Sequence, residues 1–169
     1  FKLQSVTKEG LKFGDEDEYA TSKRMELYEE KFEPLTTWMK DLYGSKVSKI
    51  TFSNRLDTTP CVLVTGQYGY SAHMEKVMRA QAFADDKKNG IQYMMSSKTL
   101  ELNPRHPIFT KMLDLVQDES SDSEVAKDLA MVMLDTAMLT SGFNIENTAD
   151  FAMRMYGLMK NGLNLESDE

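Results

Sequence analysis

"SKVSKITFSNRLDTTPCVLVTG", residues 45–66, carries two strand signals in a chain whose other periodic segments read as helices. Ser48, Ile50 and Phe52 alternate with Val47, Lys49 and Thr51, the period of a strand. "CVLVT" (61–65) is a continuous apolar run, which reads as a central strand covered on both faces. Pro60 stands at its edge, where a missing N–H is tolerated. "KTLELN" (98–103) is a third short strand candidate, and "FKLQSVTKEGLKFG" (1–14) reads as a strand or extended piece ending in glycine.

Immediately after the apolar run comes "GYSAHMEKVMRAQ" (69–81), a helix start followed by one stripe: Tyr70, Met74, Val77 and Met78. The spacing i, i+4, i+7, i+8 is a single helical face. Two readings stand. A Met stripe can be soft core filling, or a surface kept adaptable for many shapes. The helix is short and leads into the polar "DDKKNG" (85–90), and a helix with few anchors stays partly exposed.

The remaining segments are helical by period. In "DEDEYATSKRMELYEEKFEPLTTWMKDLYG" (15–44), Met25, Tyr28, Phe32, Leu35, Met39 and Leu42 step by three and four. Gly44 stops this helix, and Pro34 inside it should kink or restart it. "NPRHPIFTKMLDLVQDE" (103–119) puts Pro107 at a first helical position, gives His106 a turn or N-cap role, and carries the stripe Ile108, Met112, Leu115, Val116. "SSDSE" (120–124) reads as an acidic linker, in which Ser121 with Glu124 forms a capping-box pattern. "VAKDLAMVMLDTAMLTSG" (125–142) is apolar nearly all round from Leu129 to Leu139, so it needs cover on more than one side, and Gly142 stops it. "TADFAMRMYGLMKNG" (148–162) has Phe151, Met155, Leu158 and Met159 on one face, Asn147 or Thr148 as cap and Gly162 as stop. These last two helices either close the core of their own chain or pair two-fold with a second copy. Gly157 costs roughly 1 kcal/mol against Ala inside a helix, and close helix approach is a reason to keep it.

Composition narrows the chemistry. The 169 residues carry a net charge of −7, the wrong sign for a nucleic-acid backbone. No apolar run approaches the ~20 residues of a membrane span. The start at Phe1 without Met reads as a piece of a longer protein. There are two histidines and one thiol, no phosphate loop and no metal-ligand cluster, so no catalytic residue and no metal site is assigned. Cys61, in the most apolar strand, reads as a buried structural thiol rather than a nucleophile. His73 reads as a solvated side chain, and Trp38 as packed on the face of its own helix.

"SNRLDTTPCVLVTGQYGYSAHMEKVMRAQA" (53–82) resembles the signature of the carboxy-terminal domain of the ninety-kilodalton heat-shock chaperone family. "LELNPRHPI", "TAMLTSGF" and "MKNGLNL" follow in that family's order, and "SVTKEGLKF" (5–13) is similar to the end of its middle domain. The resemblance implies an α+β fold, with a small three-stranded mixed sheet flanked by helices. It implies that residues 1–43 close a middle domain and connecting helix, and that 44–169 form the carboxy-terminal dimerisation domain. The carboxy-terminal helical hairpin would form a homodimer as a four-helix bundle, with Leu129, Val132, Met133, Leu139, Phe151, Met155, Leu158 and Met159 as contacts. Tyr70, Met74, Val77 and Met78 would contact unfolded or partly folded client proteins, Tyr70 standing where many members have Trp. The module would dimerise and touch clients for an ATP-driven chaperone. A purely structural dimer module, with the Met-rich helix as core, is the alternative.

The resemblance also implies no enzyme activity and no cofactor in this segment, since ATP and magnesium belong to the family's amino-terminal domain. Partners would be a second copy, clients and co-chaperones, with no nucleic acid and no membrane span. "FEPLTTWMKD", "NPRHP" and "FADD" resemble endoplasmin, which implies the endoplasmic-reticulum lumen. "YMMSSKTLELNP" is similar to some protozoan cytosolic members, which makes the cytoplasm the alternative.

Overall fold

The computed structural model describes residues 18–66, 71–82, 98–118, 124–163 and 165. The expected extended piece at 1–14, the acidic linker with Ser121, and Tyr70 lie outside them. The described residues form an α+β unit. A long helix α1 (Glu18–Tyr43) and a short 3-10 turn (Gly44–Lys46) lead to strand β1 (Lys49–Phe52). Then come β2 (Cys61–Thr65), α2 (Ala72–Ala82), β3 (Lys98–Leu102), α3 (Pro107–Gln117), α4 (Glu124–Thr140) and α5 (Thr148–Gly162).

The three strands make one mixed sheet in the order β1-β3-β2. β1 pairs parallel with β3, Ile50 opposite Leu100, and β2 pairs antiparallel with it, Leu63 opposite Leu100. The centre is therefore β3, and "CVLVT" lies at an edge, which corrects the expectation of a central strand. Its apolar run has another cause. Cys61 and Leu63 face the core, and the Leu63 N–H donates to Ser141 Oγ at 3.1 Å, so the turn after α4 covers this edge.

α1 and α4 pack on the sheet. Phe32, Leu35 and Met39 of α1 are fully buried against Phe52, Leu100 and Leu102, and the Phe32 and Phe52 rings lie 5.6 Å apart. α1 runs through Pro34 without restarting. Gly44, at φ +54, ends it where an L side chain would be strained, and Lys40 donates to the Gly44 and Val47 carbonyls beyond its last turn. Tyr43 is buried and donates its hydroxyl to Ala130 O at 2.9 Å, tying α1 to α4. Trp38 packs against this same core.

α3 begins as expected, with Pro107 at its start and the Ile108 N–H donating to His106 Nδ1 at 3.3 Å. Its buried residues are Phe109, Met112 and Leu113, so the inward face is rotated from the expected stripe. Ile108 and Val116 flank it, partly buried against the core. Phe109 and Met112 are i and i+3 on the helix, which the alternative stripe through Ile108 had masked.

Cys61 sits in this core, 4% exposed, as a structural thiol. Burial pushes its pKa from 9.0 up to about 12, and burial likewise holds Tyr43 well above its ordinary 10.0. A pKa higher in the fold than in the unfolded chain leaves stability intact below the unfolded value and removes it as pH rises towards the folded one. Urea midpoints should thus stay level up to pH 9.0 on this account, then fall between 9.0 and about 12. Cys61→Ala should reduce that alkaline fall, and a thiol reagent at neutral pH should modify Cys61 only at the rate of unfolding.

Candidate functional site

α2 begins at Ser71, whose Oγ accepts from the Met74 N–H at 3.3 Å and whose carbonyl accepts from the Glu75 N–H at 2.8 Å. The sequence stripe leaves open whether the Met side chains anchor this helix or face outward. They do not anchor it. Its most buried described residue is Glu75, 4% exposed, whereas Met74 is 46% and Val77 38% exposed. Met78 is half-buried. Glu75 Oε2 lies 3.1 Å from Lys98 Nζ of β3. The same ammonium stands 5.0 Å from the centre of the Phe143 ring, in the turn between α4 and α5. Ala72 closes the other end of this contact: a Cβ on Gly142, at φ +83, would come within 3.4 Å of Ala72 Cβ. A buried ion pair and a small-residue contact thus hold α2, and they turn its apolar residues outward. His73 and Lys76 are exposed beside them.

The second expected site lies on α4 and α5. α4 has two apolar faces. Ala126, Ala130, Met133, Leu134, Ala137 and Met138 are buried in the chain's own core. Val125, Leu129, Val132 and Leu139 run down another face; Val125 is 44% and Leu139 49% exposed, with Leu129 and Val132 half-exposed. Of the residues expected at a dimer contact, Met133 therefore belongs to the inner face. α5 starts at Asn147, whose Oδ1 accepts from the Ala149 and Asp150 N–H groups. It has no buried residue. Phe151, Met155 and Leu158 are half-buried, and Met159 is exposed. Met153 and Tyr156 are exposed as well. Sequence reading passed over these two although they form a second stripe at helical spacing with Met159.

Charge holds α5 to α4. Arg154 reaches Asp128 at 3.3 Å and Asp135 at 3.9 Å. Burial raises the Asp135 pKa, and Lys46 and Arg154 oppose that rise. Asp135, Arg154, Lys46, Glu146 and Asp150 line a small polar pocket of about 70 Å³ at the start of α5. Among the described residues no group of three His, Cys, Asp or Glu is placed to hold a metal ion. No helix of the described residues is long and apolar enough to cross a membrane. α2, α4 and α5 thus carry exposed apolar residues, and buried or partly buried ion pairs hold α2 and α5 in place.

Comparison with known proteins gives the family. A family profile described as Hsp90 protein matches residues 1–169. The chain belongs to the Hsp90 family. It is similar to putative heat shock protein HSP 90-beta-3 of Homo sapiens, 42% identical over 167 residues, 99% of this chain and 27% of that protein. It is 43% identical to heat shock protein 83 of Leishmania donovani over 168 residues, 99% of this chain and 36% of that one. The endoplasmin homolog of Arabidopsis thaliana is 42% identical over 168 residues, 99% of this chain and 19% of the relative. The chain thus spans well under half the length of the relatives it matches.

The Glu75–Lys98 pair tests how α2 is held. Glu75→Ala or Lys98→Ala alone should cost about 3–5 kcal/mol, because each takes from a buried charge its ion-pair partner at 3.1 Å. The double variant Glu75→Leu/Lys98→Leu should cost far less than the sum of the single variants, by urea denaturation in a double-mutant cycle.

Proposed function

We propose that this chain is the carboxy-terminal dimerisation and client-contact module of an ATP-driven Hsp90-type chaperone of the endoplasmin kind. One observation carries the proposal: α5 buries no residue within the single chain while holding Phe151, Met153, Met155, Tyr156, Leu158 and Met159. A helix with that much apolar surface calls for a second partner beyond α4. The outward α4 face, Val125, Leu129, Val132 and Leu139, runs beside it. Two copies meeting across these faces form a four-helix bundle of isologous contacts. Gly157 supports the same reading. A Cβ there would meet none of the described side chains within 4 Å, which leaves room for a partner helix to approach.

In this reading Leu129, Val132, Leu139, Phe151, Met155, Leu158 and Met159 meet the partner copy, and Met133 backs them from the core. Tyr70, Met74, Val77 and Met78 meet the client. Exposure of Met74 and Val77 favours this over the reading of α2 as packed core. Soft Met side chains suit weak binding of many partners. ATP and magnesium belong to an amino-terminal domain of the whole protein, and this segment raises the effective concentration of the two upstream halves for each other. The endoplasmic-reticulum lumen is the proposed compartment, with the cytoplasm as alternative; relatives named endoplasmin and relatives named HSP 90-beta stand at the same identity, 42%.

Sedimentation equilibrium from nanomolar to high micromolar should give twice the 19.3 kDa chain mass. Leu139→Glu with Met159→Glu, both exposed in the single chain, should give the monomer at unchanged helical circular dichroism. A wild-type monomer at every concentration would overturn the dimer. Separately, Met74→Glu with Val77→Glu should change stability by only about 0.5 kcal/mol per exposed site while weakening capture of an unfolded model protein. A loss of several kcal/mol would restore the core reading of α2.

A further inference from the structure

β1 is an outer strand of the sheet, and no described strand pairs with its far edge. The phase of the ladder shows which groups it offers. The Ser53 N–H donates to Leu102 O at 2.8 Å, and Phe52 stands opposite Leu102. In a parallel ladder of that phase Lys49 and Thr51 bond to β3, and Ile50 and Phe52 turn their N–H and C=O groups away from the sheet. Among the described residues no backbone bond outside the sheet reaches those groups. Edge strands are blunted by proline, by lysine or by shortness; the four-residue "KITF" has no proline and carries Lys49 only at its start, which leaves Ile50 and Phe52 without such a guard.

A groove of about 400 Å³ lies along this edge. Ile50, Thr51 and Phe52 line one side, and Glu29, Glu30, Glu33 and Thr36 of α1 line the other. The three glutamates share one helix face, are exposed, and have no ion-pair partner among the described residues. α1 covers the core face of β1, with Phe32 against Phe52. A further strand placed about 4.8 Å outside β1 would therefore lie beside this acidic wall, with every second side chain turned towards it.

We propose that the β1 edge is a docking site for an extended segment of a partner protein carrying Lys or Arg at alternate positions, which adds to the sheet as a fourth strand beside the Glu29–Glu30–Glu33 wall. Main-chain bonds to Ile50 and Phe52 supply affinity, and the alternating side chains supply choice of partner. Long basic side chains lay their apolar stems along Ile50 and reach the carboxylates with their heads. Opposed charge also steers the encounter. The site is separate from α2 and from the α4–α5 face, so it does not rest on the dimer or the client assignment.

The test is fluorescence anisotropy of a labelled Val-Lys-Val-Lys-Val-Lys-Val peptide against the full chain at low salt. The peptide should bind, and the same peptide with Glu for Lys should not. Backbone N-methylation through its centre should weaken binding about tenfold or more, since each lost main-chain bond is worth roughly 1 kcal/mol. Glu29→Gln/Glu30→Gln/Glu33→Gln should weaken it about fivefold with an unchanged melting curve, the scale of three exposed ion pairs. Equal binding of the N-methylated peptide would show plain charge attraction and overturn strand addition. Unchanged binding to the triple variant, or no binding of the Lys peptide, would overturn the site.

Discussion

All five residues of β3 are buried, and two of them, Lys98 and Glu101, are charged. Removing an ion from water costs several kcal/mol unless a partner goes with it. That constraint organises the molecule. Glu101 is met by Arg55 Nε at 2.9 Å, which draws the β1–β2 loop over the sheet. Asn103, fully buried just past β3, holds the same loop by donating to the Asp57 and Thr59 carbonyls. Lys98 is met by Glu75, which fixes α2. The central strand thus places its surroundings by charge at both ends and by Leu100 and Leu102 in between.

The orientation of α2 follows from this. An amphipathic helix normally turns its apolar face inward. Here the inward face holds Glu75, because Lys98 is the buried group that must be satisfied there. Met74 and Val77 then have nowhere to go but out. Among the described residues α2 is fastened by the Glu75–Lys98 pair and the Ala72–Gly142 contact, and sparse apolar contact of that kind lowers the cost of local opening. Phe143 under the Lys98 ammonium joins this anchor to the turn between α4 and α5. The two surfaces assigned to function therefore share a structural base.

α4 carries the other half of the design. It is the helix that both completes the core and presents an open face, and its near-continuous apolar sequence reflects that double duty. α5 contributes nothing fully buried to its own chain. It is fastened by Arg154 to two aspartates and by its Asn147 cap, and Met153, Tyr156 and Met159 stay exposed on it.

Much of this was readable in the chain itself. Gly44 and Gly142 marked helix ends, and both have positive φ. His106 and Pro107 marked the start of α3, and Asn147 that of α5. Cys61 in an apolar run announced a buried thiol. These signals are local, since a cap, a stop or a stripe is decided by neighbours within a turn or two. Strand order was not readable. An apolar "CVLVT" looked central, whereas the fold puts β3, legible only as a third short strand candidate, at the centre. The inward face of α3 and the buried role of Glu75 were hidden for the same reason. Sequence by itself marked several helix ends, the three described strands and the apolar character of α4. Only the tertiary structure decided which strand is central and which way α2 faces, because a buried charge becomes tolerable only through a partner that is distant in the chain.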